Sequence, residues 1–355
     1  MKKIFVLVLS LLSVLMLASC AKREELTILN VGDYIDDELV EKFEKEYHCK
    51  VIYNEKGSNE EIYQAIKNDN YDIIVVSDYL IDRLVKENRL LKLDYNEIPN
   101  YKENDIFSDA LSLMNTQCKD YKDYFIPYFW GSVGILYNTE VSGLKEYVEA
   151  NGLKAVMEKN NYKVGMYNSA RDALCLAALS IGATDINTTD ENILTSAKNL
   201  LKSAEYDVWG EDDLKDKVHR GLLDLALVYS GDYLDEIYQC EVNNEEVNFD
   251  FFAPSITNIW IDGMVIMSDA KNPSLAYKFL NFMNDYENAA QNAYAVGYCP
   301  LSKVVYDMLY DKDGEYQYDY EESVFYPYDP NRLMYKYVSD NHYQLLNRLL
   351  EEAKQ

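Results

Sequence analysis

Two hydrophobic periods alternate along this chain, and that alternation limits the fold more than any other feature. LTILNV reads as a strand, and DDELVEKFEKEY after it places Leu39, Val40, Phe43 and Tyr47 on one helical face. KVIYN is the next strand. Ser58 and Glu61 then stand at the spacing of a capping box, ahead of the helical EEIYQAIKN. YDIIVVS is a continuous apolar run, the pattern of a strand covered on both faces, and LIDRLVKE reads as a helix after it. Strands alternating with helices predict an α/β fold with mixed, largely parallel sheets.

The pattern continues. YKVGMY, LALVYS and NIWIDGMVI read as strands; ARDALCLAALSIG, ENILTSAKNLLKSA and DLKDKVHRGLLD read as helices. Asn272 and Pro273 form a cap-plus-proline start for SLAYKFLNFMND, and the tail from Arg332 to Gln355 reads as helix. No internal repeat or low-complexity segment interrupts the series. The 355 residues suit two domains of roughly 100–200 residues each.

The first residues predict a targeting segment. Lys2 and Lys3 precede an apolar run from Ile4 to Leu17, and LASC follows. A basic start, an apolar core and small residues before a cut describe a signal peptide, too short to span a bilayer comfortably. LASC resembles a bacterial lipobox, which implies cleavage before Cys20 and lipid on that cysteine. Several acyl chains anchor stably where one does not. The mature chain is then expected to be extracytoplasmic, tethered to the cell membrane and otherwise soluble.

Sixty-one acidic residues face 34 basic ones, a formal charge of −27. That balance disfavours nucleic acid, whose phosphates need Lys and Arg, and suits either solubility alone or meetings with cations. Beyond Cys20, the cysteines Cys49, Cys118, Cys175, Cys240 and Cys299 are odd in number and widely spaced, without a CxxC or Cys/His cluster. No zinc site or disulfide framework follows. The histidines, His48, His219 and His342, stand far apart in polar helical contexts and read as surface residues.

In open α/β sheets, ligands bind beyond the carboxyl ends of strands. Those ends carry aromatic rings beside carboxylates: Asp33 with Tyr34, Asp78 with Tyr79 after Ser77, Asp172 after Ser169, Tyr229 with Asp232, and Trp260 with Asp262. Such pairs suit an organic ammonium ion. A carboxylate makes charge-assisted hydrogen bonds to it, and each ring face adds ~0.5–2 kcal/mol. Structural readings stand beside these. Asp78 and Asp232 fit helix caps, and Asp172 fits a first-turn dipole partner. The pair in NIWIDG is harder to explain structurally, because a carboxylate in an apolar strand destabilises unless partnered.

The stretches LNVGDYIDDELVEKFEKEY, YDIIVVSDY, FIPYFWGSVGILYN, NIWIDGMVI with AKNPSLAYKFLNFM, and VGYCP resemble the spermidine/putrescine-binding proteins of polyamine ABC transporters. The likeness spans nearly the whole mature chain. It implies a two-lobed periplasmic-binding-protein-like fold, with lobes that close over a ligand about a hinge. After a leader at 1–19 and a tether at 20–25, the first lobe would hold 26–138 with 262–306, and the second 139–261 with 307–355. It implies ligand roles for Tyr34, Ser77, Tyr79, Asp172, Tyr229, Trp260, Asp262 and Tyr298, and for Asp33 and Asp232 as in putrescine receptors; Asp78 and Ser169 are candidates by their place at strand ends. Ser169 stands where spermidine-preferring members place Asp, Val31 where many have Trp, and Gly32 where a hydroxyl is common. These departures weaken a simple spermidine assignment; Asp33 and Asp232 lean the set toward putrescine, with another cationic amine as the alternative. The implied partners are a polyamine and an ABC permease, for a monomer without cofactor.

Three other readings compete. A carboxylate-dependent hydrolase would use paired acids, yet G-x-S-x-G is absent and GSVG lacks the lysine of a phosphate loop. A ferric receptor needs clustered hard oxygens. An adhesive lipoprotein would answer to no small molecule.

Overall fold

The structure, a computed structural model, describes residues 23–32, 34–311, 313, 314, 316 and 325–355. The expected leader, Cys20 and Asp33 lie outside those residues.

The chain first lays down β1 (Glu25–Val31), α1 (Asp37–Tyr47), β2 (Lys50–Lys56), α2 (Asn59–Ala65), β3 (Ile73–Ser77), α3 (Asp78–Lys86), α4 (Ser108–Thr116) and β4 (Phe125–Gly131). Ser58 Oγ accepts from Glu61 N at 3.2 Å and starts α2 as its spacing predicts. Ile73, Ile74, Val75 and Val76 are buried along β3. Burying each such side chain is worth about 1.5–3 kcal/mol over leaving it in water.

A second unit follows: β5 (Val133–Asn138), α5 (Leu144–Asn151), α6 (Lys154–Met157), β6 (Val164–Tyr167), α7 (Ala170–Ser180), α8 (Glu191–Ala204), β7 (Val208–Gly210), α9 (Asp213–His219), β8 (Leu225–Tyr229), α10 (Ser230–Asn243) and β9 (Phe249–Phe252). The chain then returns with β10 (Trp260–Ile266), α11 (Pro273–Met283), α12 (Tyr286–Val296), β11 (Cys299–Pro300) and α13 (Lys303–Leu309), and ends on α14 (Asp340–Lys354).

Two sheets result, ordered β11-β4-β10-β3-β1-β2 and β7-β6-β8-β5-β9. Parallel pairing is found at β1–β2, β1–β3, β6–β7 and β6–β8, where a helix carries the chain back over the sheet. β10 runs antiparallel to β3 and β4, β11 to β4, and β5 to β8 and β9. The expectation of largely parallel sheets therefore holds for the βα units but not for these strands. They meet their neighbours head to tail because the chain enters or leaves a lobe along them.

The crossings correct the expected lobe limits. β4 ends at Gly131, and β5 at once joins the second sheet, so the first crossing is at Ser132 and not after 138. Trp260 and Ile261 pair with Gly131 and Trp130 of the first sheet, although 139–261 was assigned to the second lobe. A third crossing lies later than 307. Phe325 stacks on Tyr306 at 5.6 Å, just beyond β11 of the first sheet, while the Tyr335 hydroxyl reaches Asp172 of the second lobe. The expected tail helix begins only at Asp340, because Leu333 is engaged in a β-bridge to Asn258.

The three crossings are laced together. Val133 N donates to Asn258 Oδ1 at 2.7 Å, Thr257 Oγ1 to Val133 O at 3.0 Å, and Leu333 N to Thr257 O at 3.0 Å. Arg332 touches all three segments. Its guanidinium donates to Ser132 Oγ at 3.3 Å, to Ala253 O at 3.2 Å and Pro254 O at 3.3 Å, and to Pro327 O. Burial brings this guanidinium down to about 10, with Asp329 opposing the shift.

Candidate functional site

Side chains from both lobes converge around Asp262. On β10 the register slips between Ile261 and Gly263, an irregularity that re-aims the residue between them. Asp262 Oδ2 accepts from the Tyr34 hydroxyl at 2.9 Å. Oδ1 is buried and has no hydrogen-bond partner among the described residues, and the same holds for Trp260 Nε1. Among the described residues no Lys or Arg pairs with Asp262. Burial pushes its carboxyl up to about 6, against the pull of the Ser77 and Tyr34 hydroxyls.

Aromatic rings enclose this carboxylate. Tyr34 meets Tyr298 edge to face at 5.4 Å, and Tyr298 meets Trp260 at 5.3 Å. From the second lobe, Tyr229 stands edge-on to Trp260 at 6.4 Å. Two glycines let the rings seat so closely. A Cβ on Gly131 would lie 2.4 Å from Trp260 Cζ2, and one on Gly231 would lie 2.0 Å from Tyr298 Cζ. The second contact runs between the lobes, since Gly231 opens α10 and Tyr298 precedes β11.

The other acids are already engaged. Asp172 is buried and accepts from Tyr229 Oη and Tyr335 Oη, both at 2.9 Å. Ser169 caps α7 by accepting from Asp172 N at 3.3 Å. Asp232 accepts from Tyr229 N at 2.8 Å and faces Lys215 at 3.9 Å. Burial raises Asp232 to about 7, while Lys215 opposes the shift. Asp78 is fully buried, accepts from Tyr79 N at 2.6 Å and reaches Ile261 N at 3.1 Å. It ties α3 to β10 and does not cap α3, because that helix takes Ser77 as its N-cap. Burial lifts Asp78 to about 8.

Ser77 lies opposite Asp262 on β3 and is held by Asn59, through N to Oδ1 at 3.0 Å. The Tyr79 hydroxyl donates to Glu60 at 3.2 Å, and the Arg171 guanidinium lies 3.5 Å above its ring. So Tyr34, Ser77, Trp260, Asp262 and Tyr298 gather in one place. Tyr229, Asp172 and Asp232 flank them, Ser169 stands at the start of α7, and Tyr79 is covered by an internal cation. Sequence reasoning missed Arg171, Lys215, Glu60 and Tyr335. Arg171 adjoins Asp172 in the sequence and was legible there as a charge on the same helix start; Tyr335 carries no local signal.

A family model described as bacterial extracellular solute-binding protein matches residues 38–320. The chain belongs to this family. This solute-binding protein is 28% identical over 277 residues to the spermidine/putrescine-binding periplasmic protein of Escherichia coli (strain K12), covering 76% of this chain and 75% of that one. It is 26% identical over 288 residues to the putrescine/cadaverine-binding protein of Pseudomonas aeruginosa, covering 79% and 80%. Among solved structures, it resembles a Listeria monocytogenes chain assigned to spermidine/putrescine ABC transport, with TM-score 0.78, 31% identity, and 94% and 99% coverage. The spermidine/putrescine ABC transporter substrate-binding protein of Streptococcus pneumoniae superposes with TM-score 0.72 at 28% identity, covering 94% and 100%. The two-lobed α/β architecture of this solute-binding protein is the one these binding proteins share.

Proposed function

We propose that this solute-binding protein captures a polyamine, putrescine or spermidine, between its lobes and delivers it to an ABC permease. One observation carries the reading: a buried, unpartnered carboxylate oxygen of Asp262 inside a box of Tyr34, Trp260 and Tyr298. An orphaned buried carboxylate oxygen destabilises a fold. A ligand ammonium would satisfy it with a charge-assisted bond, and the rings would cover the adjoining methylenes. The names of the relatives support this ligand class.

The geometry around Asp262 supports the following roles. Asp262 anchors one ammonium, with Tyr34 and Ser77 holding the carboxylate in place. Trp260, Tyr298 and Tyr229 line the hydrocarbon. Asp172 and Asp232 supply negative charge toward the second ammonium, Asp172 oriented by Tyr229 and Tyr335, and the resemblance alone adds Asp33. Ser77, Asp78, Tyr79 and Ser169 shape the walls and hold their elements. Micromolar affinity would need about −8 kcal/mol. A ferric ligand is disfavoured, because the hydroxyls of Tyr34, Tyr79, Tyr229 and Tyr335 are spent on carboxylates. The lipobox resemblance of LASC supports an anchor at Cys20, which would keep the receptor beside its permease.

Calorimetry tests the reading. The purified full-length chain, stripped of ligand, is titrated with putrescine, spermidine, spermine and simple amino acids. Heat with at least one polyamine, lost in Asp262→Asn, is the expected result. Folded protein that responds to no polyamine would overturn it.

A further inference from the structure

Away from the cleft, α9 and α10 bring together a histidine, a cysteine and two glutamates that are scattered in the sequence. His219 ends α9, Glu236 and Cys240 lie on α10, and Glu245 follows that helix. The His219 Nδ1 to Glu236 Oε1 distance is 2.8 Å. A carboxylate only accepts, so Nδ1 carries the proton, and Nε2 of the neutral ring keeps its lone pair. Cys240 Sγ lies against the ring, 3.6 Å from Nδ1 and 3.7 Å from Nε2, and Glu245 Oε2 lies 4.0 Å from Nε2. One ligand atom from each of His219, Cys240 and Glu245 falls within 4.8 Å of the others.

The backbone holds these groups in place. Asn244 takes φ 55°, and Glu245 N donates to Cys240 O at 2.8 Å, which folds Glu245 back beside Cys240. Asn248 Nδ2 donates to His219 O at 2.9 Å, and the His219 ring lies 5.5 Å from that of Phe249. Glu236 and Cys240 are buried. His219 is itself half-buried, so the expectation of a surface histidine fails here.

We infer that His219 Nε2, Cys240 Sγ and Glu245 Oε2 form a binding site for a zinc-like divalent transition ion, with Glu236 as the carboxylate that orients His219. The donor set is nitrogen, sulfur and oxygen, which suits Zn²⁺ and excludes Mg²⁺ or Ca²⁺ as natural occupants. Bond lengths of about 2.0–2.3 Å to a tetrahedral ion put ligand atoms roughly 3.5 Å apart, a contraction that rotation of the Cys240 and Glu245 side chains supplies. Binding would release the Cys240 proton to solvent. A histidine whose other ring nitrogen donates to a buried carboxylate is the usual way a metal ligand is oriented. The ion would join the end of α9 to the last turns of α10, helices that also meet through Lys215 and Asp235 at 2.5 Å. It would fasten the second lobe without entering the cleft.

Co²⁺ and Zn²⁺ titrations of the purified full-length chain test this. Wild type is expected to bind one equivalent of Co²⁺ with a near-ultraviolet thiolate charge-transfer band, which Zn²⁺ abolishes by displacement. Zn²⁺ raises the melting temperature and Mg²⁺ does not. Cys240→Ser removes the band and weakens Zn²⁺ at least 100-fold, and Glu236→Gln keeps the band but weakens Zn²⁺ by about 10–100-fold. Cys118→Ser changes neither. No thiolate band in wild type, or a band lost in Cys118→Ser, would overturn the site. So would equal Zn²⁺ affinity in wild type and Cys240→Ser. Should Cys240→Ser fail to fold, the wild-type band and the Glu236→Gln affinity still decide. Polyamine heats are expected to be the same with and without Zn²⁺, so this site and the cleft fail or stand separately.

Discussion

The Arg171 guanidinium lies 3.5 Å above the ring of Tyr79, and this contact joins the two lobes. Arg171 opens α7 in the second lobe, and Tyr79 opens α3 in the first. The same guanidinium reaches Glu60 at 3.3 Å, while Arg83 reaches Asp340 across the same seam at 2.6 Å. Arg171→Ala therefore removes a cross-lobe clasp. A desolvated cation–ring contact is worth about 2 kcal/mol, so polyamine affinity should fall by tenfold or more, with the open form more populated in small-angle scattering. Unchanged affinity would show that closure does not depend on it.

Asp262→Asn separates function from stability. Its carboxyl is pushed up from 3.8 to about 6, so the folded chain holds that proton more tightly than the unfolded chain. Stability from the protonated form is full below the unfolded value and is lost as pH rises through about 6. At neutral pH the charged group thus weakens the ligand-free fold. Asp262→Asn should melt at a higher temperature than wild type without ligand, and should lose the polyamine response. Lower stability together with retained binding would make this aspartate structural.

The same group sets a pH dependence. An ammonium needs the charged carboxylate, and protonation competes below about 6. Calorimetry with putrescine should show affinity level above pH 7 and reduced about tenfold at pH 5, where one unit below the pKa leaves roughly a tenth ionised. A flat profile from 7 to 5 would remove Asp262 from the binding step.

Gly231→Ala tests the seat of Tyr298. The new Cβ would lie 2.0 Å from Tyr298 Cζ, so the ring must leave its place between the lobes. Affinity should fall by tenfold or more while the circular dichroism spectrum stays that of wild type. Tyr298→Ala in the Gly231→Ala background should add no further loss, because the two changes act on one contact.

Arg332→Ala tests the lacing of the crossings. It leaves the carbonyls of Ala253, Pro254 and Pro327 without their charged donor. Hydrogen bonds to a charged group are worth about 1.5–3 kcal/mol each before relaxation, so a loss of roughly 3 kcal/mol is expected in urea unfolding. A loss below about 0.5 kcal/mol would mean that backbone bonds alone hold the crossings.

Much of the cleft was legible because its chemistry is local. Trp260 and Asp262 stand two apart in a strand, Tyr34 follows the apolar run of β1 and Ser77 ends that of β3, while Tyr298 was legible only through the resemblance of VGYCP. What was not legible is which acids are free. The cap reading of Asp232 was legible, but not Lys215 beside it, nor the tyrosine hydroxyls that hold Asp172. These partners lie as far as 163 residues away, beyond any local pattern. The lobe limits were displaced for a related reason. β4 and β5 are separated by Ser132 alone, and no turn signal or change of composition marks a chain that passes from one sheet to the next while still extended.

By itself, the sequence determined the α/β class, the helix starts and the set of rings and carboxylates at strand ends, since hydrophobic period and capping chemistry act within a few residues. Only the tertiary structure decided that Asp262 keeps an unpartnered oxygen, that Arg171 covers Tyr79, that Arg332 laces three crossings, and that His219, Cys240 and Glu245 converge. Those relationships depend on groups brought together by packing, and a buried charge takes its meaning from whatever packing places beside it.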